Sequence, residues 1–338
     1  MSVDAELSTP SLSVGVIGYG ARISYIRAPD RHGNWADVAK GFDDPAAWRA
    51  DPTFQGATIG RYANRINRGT FELDGRRFHV PLNDGANALH GGPGGFSDRD
   101  WEVEPPVVTP HESSVTMRRT SPDGEMGFPG NLDVSVVFSV TGSELTIDYR
   151  AITDAPTPVN LTNHVYLNLA GRPSSIADHE VTLFADRVAE IGPGLISTGG
   201  LIDVAGTPLD FRTPAPIGER WRASHPQMVL AGGYDHAYLL DSSGGEYDGL
   251  RLGARVIEPS TGRCLELFTD QPTVQFYSGN MLTGTVVERS GSTLRQSDAF
   301  CLEPQQLSDS VNQPHFPSTV LRPGAEYRNR TIYRFSAE

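Results

Sequence analysis

His164 stands in the run NLTNHVYLNL, residues 160–169, and Glu303 stands between Leu302 and Pro304 in FCLEPQQLSDSVNQPHFPS. Histidine and glutamate can exchange protons with a substrate near neutral pH, one as acid and the other as base. The chain also offers groups suited to hold hydroxyls. Arg61, Asn64 and Arg65 lie in GATIGRYANRINRGTF, and His90 precedes a double glycine in NDGANALHGGPGGF. Asp235 and His236 sit in GGYDHAYLL, and Gln275 in TDQPTVQFYSGN. Alternate positions of the first run are Asn160, Thr162, His164, Tyr166 and Asn168. A strand there presents an almost wholly polar row that lacks Lys, Glu, Asp and Arg. Such a row suits a face that meets other hydroxyls rather than bulk water.

Each residue taken singly also has a structural reading. His164 fits a satisfied strand histidine, His90 a turn residue, and Glu303 an ion-pair partner for Arg61 or Arg65. Asp235 fits a turn carboxylate accepting backbone N–H bonds. Other chemistries find less support. None of the nine histidines forms H-x-H or H-E-x-x-H, and no Cys/His cluster has zinc spacing, so no metal is expected. There is no G-x-S-x-G elbow, and neither Cys264 nor Cys301 has a histidine beside it in sequence. GVIGYGARIS opens like a dinucleotide fingerprint, but position 23 is Ile and no helical pattern follows, so no cofactor is expected. What remains is a His/Glu acid–base pair with Arg, Asn, Asp and Gln available to hold hydroxyl groups.

The elements that must position these groups read as strands. SVTMRRT, LDVSVVFSV, LTIDYRAI, HEVTLFADRV, RCLELFTD and TVQFYSGN all alternate, and most are bounded by Gly, Pro, Asp or Asn. Gly (36) and Pro (25) are abundant and scattered along the 338 residues, which implies many turns and many short strands. Helical periodicity is scarce; DDPAAWR, from Asp43 to Arg49, is the best short candidate. An all-β sandwich or barrel follows, with no repeat, low-complexity tract or linker-like shift. One continuous domain over residues 1–338 is the simplest organisation.

A net charge of −13 leaves no basic patch for nucleic acid. No apolar run reaches the ~18 residues of a membrane span. MSVDAELSTPSLSVG lacks the basic and apolar regions of a signal peptide. Two cysteines in no redox or metal spacing fit a reducing, cytoplasmic compartment. The glycosylation patterns at Asn160 and Asn329 are therefore not expected to be used.

Taken together, GRYANRI, NALHGG, NLTNHVYLNLAG, GGYDH, QFYSGN and LEPQQLSDSVNQPHFPS resemble the aldose 1-epimerase (galactose mutarotase) family, in its order and at comparable spacing. Weaker similarity in PDRHGNWADVAKGFDD, SPDGEMGFPGNL, AGTPLDFRTPAPIG and LRPGAEYRNRTIYRF extends the resemblance over essentially the whole chain. The resemblance implies a large antiparallel β-sandwich. It also implies interconversion of the α and β anomers of free aldohexoses such as galactose and glucose, without a cofactor, by a monomer or homodimer. By motif position it places the general base on Glu303, the general acid on His164 and a second active-site histidine on His90. Sugar contacts fall on Asn64, Arg65, Asp235 and Gln275. Three departures are visible: Leu167 where the family usually has Phe, Ala237 where Asn is common after Asp-His, and Ser308 where Pro is usual. The expected charge states are an ionised Glu303 and a His164 whose charged form is favoured by the carboxylates of Glu303 and Asp235.

Two rivals remain. A hexose-6-phosphate epimerase of the same fold needs a cationic pocket, for which Arg61, Arg65 and Arg68 are candidates. A non-catalytic sugar-binding protein needs the pocket alone.

Overall fold

The computed structural model describes residues 3–338. Alternating sequence becomes alternating burial. In β1 (Glu112–Ser121), β2 (Leu132–Thr141) and β3 (Glu144–Thr153), nearly every second side chain is buried and those between are more exposed. The remaining strands of the two principal sheets follow in chain order. They are β4 (Glu180–Leu183), β5 (Arg187–Ile191), β6 (Ser197–Asp203), β7 (Asp235–Leu239), β8 (Leu250–Ile257), β9 (Arg263–Thr269), β10 (Thr273–Tyr277), β11 (Cys301–Gln305) and β12 (Tyr327–Ala337).

The larger sheet has 11 strands and runs β1-β2-β3-β12-β9-β8-β4 through its centre, with short strands at its edges. The smaller has five, in the order β6-β5-β7-β10-β11. All pairings in both are antiparallel. Their inner faces share one apolar core. Phe138, Ile147, Leu267 and Tyr333 enter it from the large sheet, and Val188, Tyr238, Phe276 and Leu302 from the small one. This is the expected large antiparallel β-sandwich.

HEVTLFADRV was expected as one strand and is two. The chain turns at residues 184–186, so β4 joins the large sheet and β5 the small one. The short helix is found at Pro45–Ala50, where Asp44 caps it by accepting from the N–H of Ala46 at 2.8 Å. Gly18 and Gly20 lie in the turn between the antiparallel strands Ser13–Ile17 and Arg22–Pro29, with no helix after them. That is a hairpin rather than a dinucleotide loop. Asn160 and Asn329 are both buried, so neither glycosylation pattern is accessible.

Arg61 has a structural task. Its guanidinium donates to Ser121 Oγ and to the carbonyls of Ser121, Pro122, Pro129 and Gly130, at 2.8–3.0 Å. Burial holds its pKa down to about 10, leaving it a cation at neutral pH that ties the residue 61 loop to the β1–β2 connection. Arg61→Leu would leave those carbonyls unpaired, and a loss of about 3 kcal/mol in unfolding free energy is expected from urea titration. A change within about 0.5 kcal/mol would show that water can serve them instead.

Candidate active site

Three neighbouring strands of the small sheet build the floor of the site. Cross-strand pairing sets Asp235 opposite Tyr277 and Tyr277 opposite Cys301. Two residues along, Ala237 lies opposite Gln275 and Gln275 opposite Glu303. Side chains alternate across a sheet, so these six share one face, while His236, Tyr238, Val274, Phe276 and Leu302 take the other. The polar face opens on a cavity of about 870 Å³, within the ~300–1,000 Å³ usual for small-ligand clefts.

A second wall comes from the chain between residues 54 and 90. Arg65–Ile66 pairs with Ala88–Leu89, bringing Asn64 and His90 to the end of one short ladder. They are bonded reciprocally: His90 N–H donates to Asn64 O at 3.0 Å, and Asn64 N–H donates to His90 Nδ1 at 3.2 Å. Accepting that N–H leaves His90 Nδ1 unprotonated, so the neutral ring carries its proton on Nε2. Phe54, Asn64 and His90 all have positive φ, at 61°, 63° and 53°. Left-handed backbone in non-glycine residues concentrates at functional sites. Gly91 follows His90 because a Cβ there would lie 2.1 Å from the carbonyl oxygen of Gly60.

His164 enters from above. Its Nε2 lies 3.7 Å from Glu303 Oε1 and its Nδ1 3.5 Å from Cys301 Sγ. The ring is edged by Phe54, His90, Tyr166 and Tyr277. The segment carrying it differs from expectation. Only Thr162–Asn163 is paired as a strand, and residues 160–169 are buried on both sides. Of the polar row, His164 and Tyr166 line the cavity. The amides serve the backbone instead of a sugar. Asn160 accepts from Gln306 N–H and donates to Ala63 O, while Asn168 donates to the carbonyls of Ser174 and Asp298. An irregular buried segment has backbone groups that no ladder satisfies, and these side chains satisfy them.

Asn64, Arg65, His90, His164, Asp235, Gln275 and Glu303 all line this cavity, whereas Arg61, bound to backbone carbonyls, and His236, on the opposite face of its strand, do not. Arg65 donates from Nε to Asp84 at 2.7 Å and lies 3.9 Å from Asp235. Gln275 donates to Asp235 at 2.6 Å, so Asp235 has support even though Ala237 follows His236. Ser308 donates to Asn64 Oδ1 at 3.0 Å, a contact a proline could not make. Leu167 is fully buried in the core, a packing position.

The charge states run against the expectation. Desolvation pushes Glu303 well above the usual carboxylate range, and the nearby Asp235 carboxylate adds to the rise. Desolvation also pulls His164 down to about 4 and His90 well below the ordinary histidine value. The carboxylates do not offset burial at His164, so burial by itself leaves neutral rings and a protonated Glu303. Glu303 Oε2 is buried with no hydrogen-bond partner, and such an atom calls for a functional explanation.

His90, His164 and Glu303 offer ligand atoms within 4.8 Å of one another, a set that can take a metal ion. A metal on His90 Nε2 would require its proton to move to Nδ1, against the Asn64 N–H. The set therefore suits hydroxyls better than a cation.

Sequence reasoning missed Phe54, Tyr277, Asp84 and Cys301. Alternation signalled Tyr277 and Cys301, each two residues from a named candidate on its own strand. Nothing local signalled Phe54 or Asp84.

Comparison with known proteins agrees with this geometry. The profile of the aldose 1-epimerase family matches residues 4–334. Galactose mutarotase of Bos taurus is 43% identical over 332 residues, covering 98% of this chain and 93% of that protein. Aldose 1-epimerase of Escherichia coli strain K12 is 38% identical over 328 residues, covering 96% and 92%. An aldose epimerase homologue from C. elegans superposes with a TM-score of 0.88 at 29% identity, covering 98% of both chains. Agreement at this identity, over nearly the full length of each partner, is more than a shared fold, and the chain belongs to the aldose 1-epimerase family.

Proposed function

We propose that Glu303 and His164 are the base and the acid of an aldose 1-epimerase reaction on free aldohexoses such as galactose and glucose. The protein is an isomerase that interconverts aldose anomers. The observation supporting the residue roles is that the two groups face each other at 3.7 Å within a cavity lined by hydroxyl-binding side chains. Glu303 takes the proton of the C1 hydroxyl, the C1–O5 bond breaks, and O5 takes a proton from His164 Nε2. The open-chain aldehyde turns about C1–C2, and the same steps in reverse close the ring on the other face. His90, held as an Nε2–H donor, steadies a sugar oxygen as charge develops on it. Asn64, Arg65, Asp235 and Gln275 hold the remaining hydroxyls.

The pair needs one proton between its two members. Burial leaves that proton on the carboxyl. A sugar donates hydroxyl hydrogens to Glu303 and accepts at O5 from His164, which favours the carboxylate–imidazolium form with the same proton count. The rate is therefore expected to be bell-shaped in pH. On the acid side, near pH about 4, the histidine also protonates and no base is left. On the alkaline side, above the usual carboxylate range, the pair loses its last proton and no acid is left. The limbs belong to the pair rather than to either residue. Initial rates by polarimetry, corrected for buffer catalysis, measure both limbs. An acid limb near the ordinary glutamate value of about 4.3 with an alkaline limb near the ordinary histidine value of about 6.5 would show that the two groups titrate independently.

Polarimetry on freshly dissolved α-D-galactose and α-D-glucose tests the substrates directly, since acceleration toward an unchanged final rotation is mutarotation. A phosphosugar finds less here. Arg61 is committed to backbone carbonyls, Arg65 is neutralised by Asp84 and Asp235, and Arg68 is exposed at the rim. The chain supplies every residue of the site as one domain, in a monomer or homodimer. Its two cysteines are free thiols, which supports a reducing, cytoplasmic setting.

A further inference from the structure

We propose that Cys301 is a positioning residue for His164. It occupies Nδ1 and keeps the exchangeable proton of the neutral ring on Nε2, the nitrogen that faces Glu303. The proposal rests on the reading of His164 as the acid.

The argument begins with strand geometry. Cys301 and Glu303 are two residues apart on β11 and share its cavity face. The imidazole lies across both, with Nδ1 3.5 Å from the thiol sulfur and Nε2 3.7 Å from the carboxyl oxygen. Cys301 is fully buried and His164 is 5% exposed, so water does not compete freely for Nδ1. Burial, with the Glu303 and Asp235 carboxylates, pushes the thiol well above its ordinary range, so it keeps its hydrogen.

A thiol is a weak donor and a weak acceptor. It donates to Nδ1 of the neutral ring and accepts from the Nδ1–H of the imidazolium, without carrying charge in either case. A carbonyl oxygen in its place could only accept, which would put the neutral ring's proton on Nδ1 and leave Nε2 bare. A carboxylate would hold the imidazolium and resist return of the proton. The thiol follows the ring through both halves of the cycle. Other groups around the ring do not do this. Phe54, His90, Tyr166 and Tyr277 meet it as rings, Glu303 faces Nε2, the ring's own backbone carbonyl can only accept and favours the charged form, and Asp51 and its ion-pair partner Arg22 act on it with opposite sign.

The bland reading is that Cys301 only fills space as a small buried hydrophobe. Three variants and a spectrum separate the two. In ¹⁵N-histidine NMR the wild type and Cys301→Ser should show His164 as the Nε2–H tautomer, while Cys301→Ala should show a mixture. Loss of the weak bond in Cys301→Ala should lower kcat roughly three- to tenfold with KM unchanged. The acid limb of the pH profile should move to lower pH, because an unpartnered Nδ1–H penalises the imidazolium more than the neutral ring. Serine should restore kcat, limb and tautomer. Cys301→Val, which fills the space without a donor, should behave like alanine. Wild-type tautomer and pH limbs in Cys301→Ala would overturn the proposal, as would full activity in Cys301→Val. If His164→Asn stays active while Cys301→Ala still shifts the tautomer, the acid assignment fails and the Cys301–His164 contact stands.

Discussion

Glu303→Gln is expected to slow mutarotation by roughly 10³-fold, within the ~10²–10⁴ that a placed acid–base group contributes. The amide has the shape of the carboxyl and the neutrality that burial already favours at this position. It should therefore fold as well as the wild type, and its thermal midpoint should be unchanged or slightly higher. It cannot take the proton of the C1 hydroxyl. Polarimetry beside a melting curve separates the two effects, because rate should collapse while stability does not. Asp235 is also a carboxyl on this face, bonded to Gln275 and close to Arg65. If Glu303→Gln keeps a near wild-type rate and Asp235→Asn loses it, the base has been placed on the wrong strand.

His164→Asn is expected to cost a similar factor in kcat, again roughly 10²–10⁴. The sugar contacts assigned to Asn64, Arg65, Asp235 and Gln275 remain, so KM should move much less than kcat. The double variant is the sharper test. The proposed acid and base act on one bond in one step, so removing both should cost little more than removing either. Multiplied losses in the double variant would mean that the two residues serve separate steps.

SVTMRRT, LDVSVVFSV and LTIDYRAI were legible because period-two alternation largely survives in burial in β1, β2 and β3, whereas β9 and β10 are strands buried on both faces. The candidate catalytic and sugar-contact residues stood out as residue types, and Asn64, Arg65, His90, His164, Asp235, Gln275 and Glu303 line one cavity, while Arg61 and His236 do not. What the sequence could not carry was environment. Asn160 and Asn168 look like sugar ligands in NLTNHVYLNL, but the segment crosses the interior, where their amides are taken up by loose backbone groups. The charge states of Glu303 and His164 were expected from their charged neighbours, and burial shifts both groups the other way. Charge neighbours can be guessed from residue types, whereas the desolvation that dominates here is a property of the folded surroundings. Cys301 and His164 are 137 positions apart, and no local pattern links a thiol to an imidazole at that range.

The pairing of β7, β10 and β11 also bears on how the protein becomes active. Between β7 and β10 the chain leaves the small sheet to form β8 and β9 of the large one, and it returns there for β12 after β11. The face that carries Asp235, Gln275 and Glu303 is thus completed only when both sheets are threaded together, through pairings distant along the chain. Long-range pairings of this kind form slowly. A slip of one residue in β11 would turn Glu303 to the core and offer Leu302 or Pro304 in its place. Sugar turnover is therefore a sensor of strand register. During refolding from urea, polarimetric activity should lag behind the recovery of strand signal in circular dichroism, and a mispaired but compact chain should be silent.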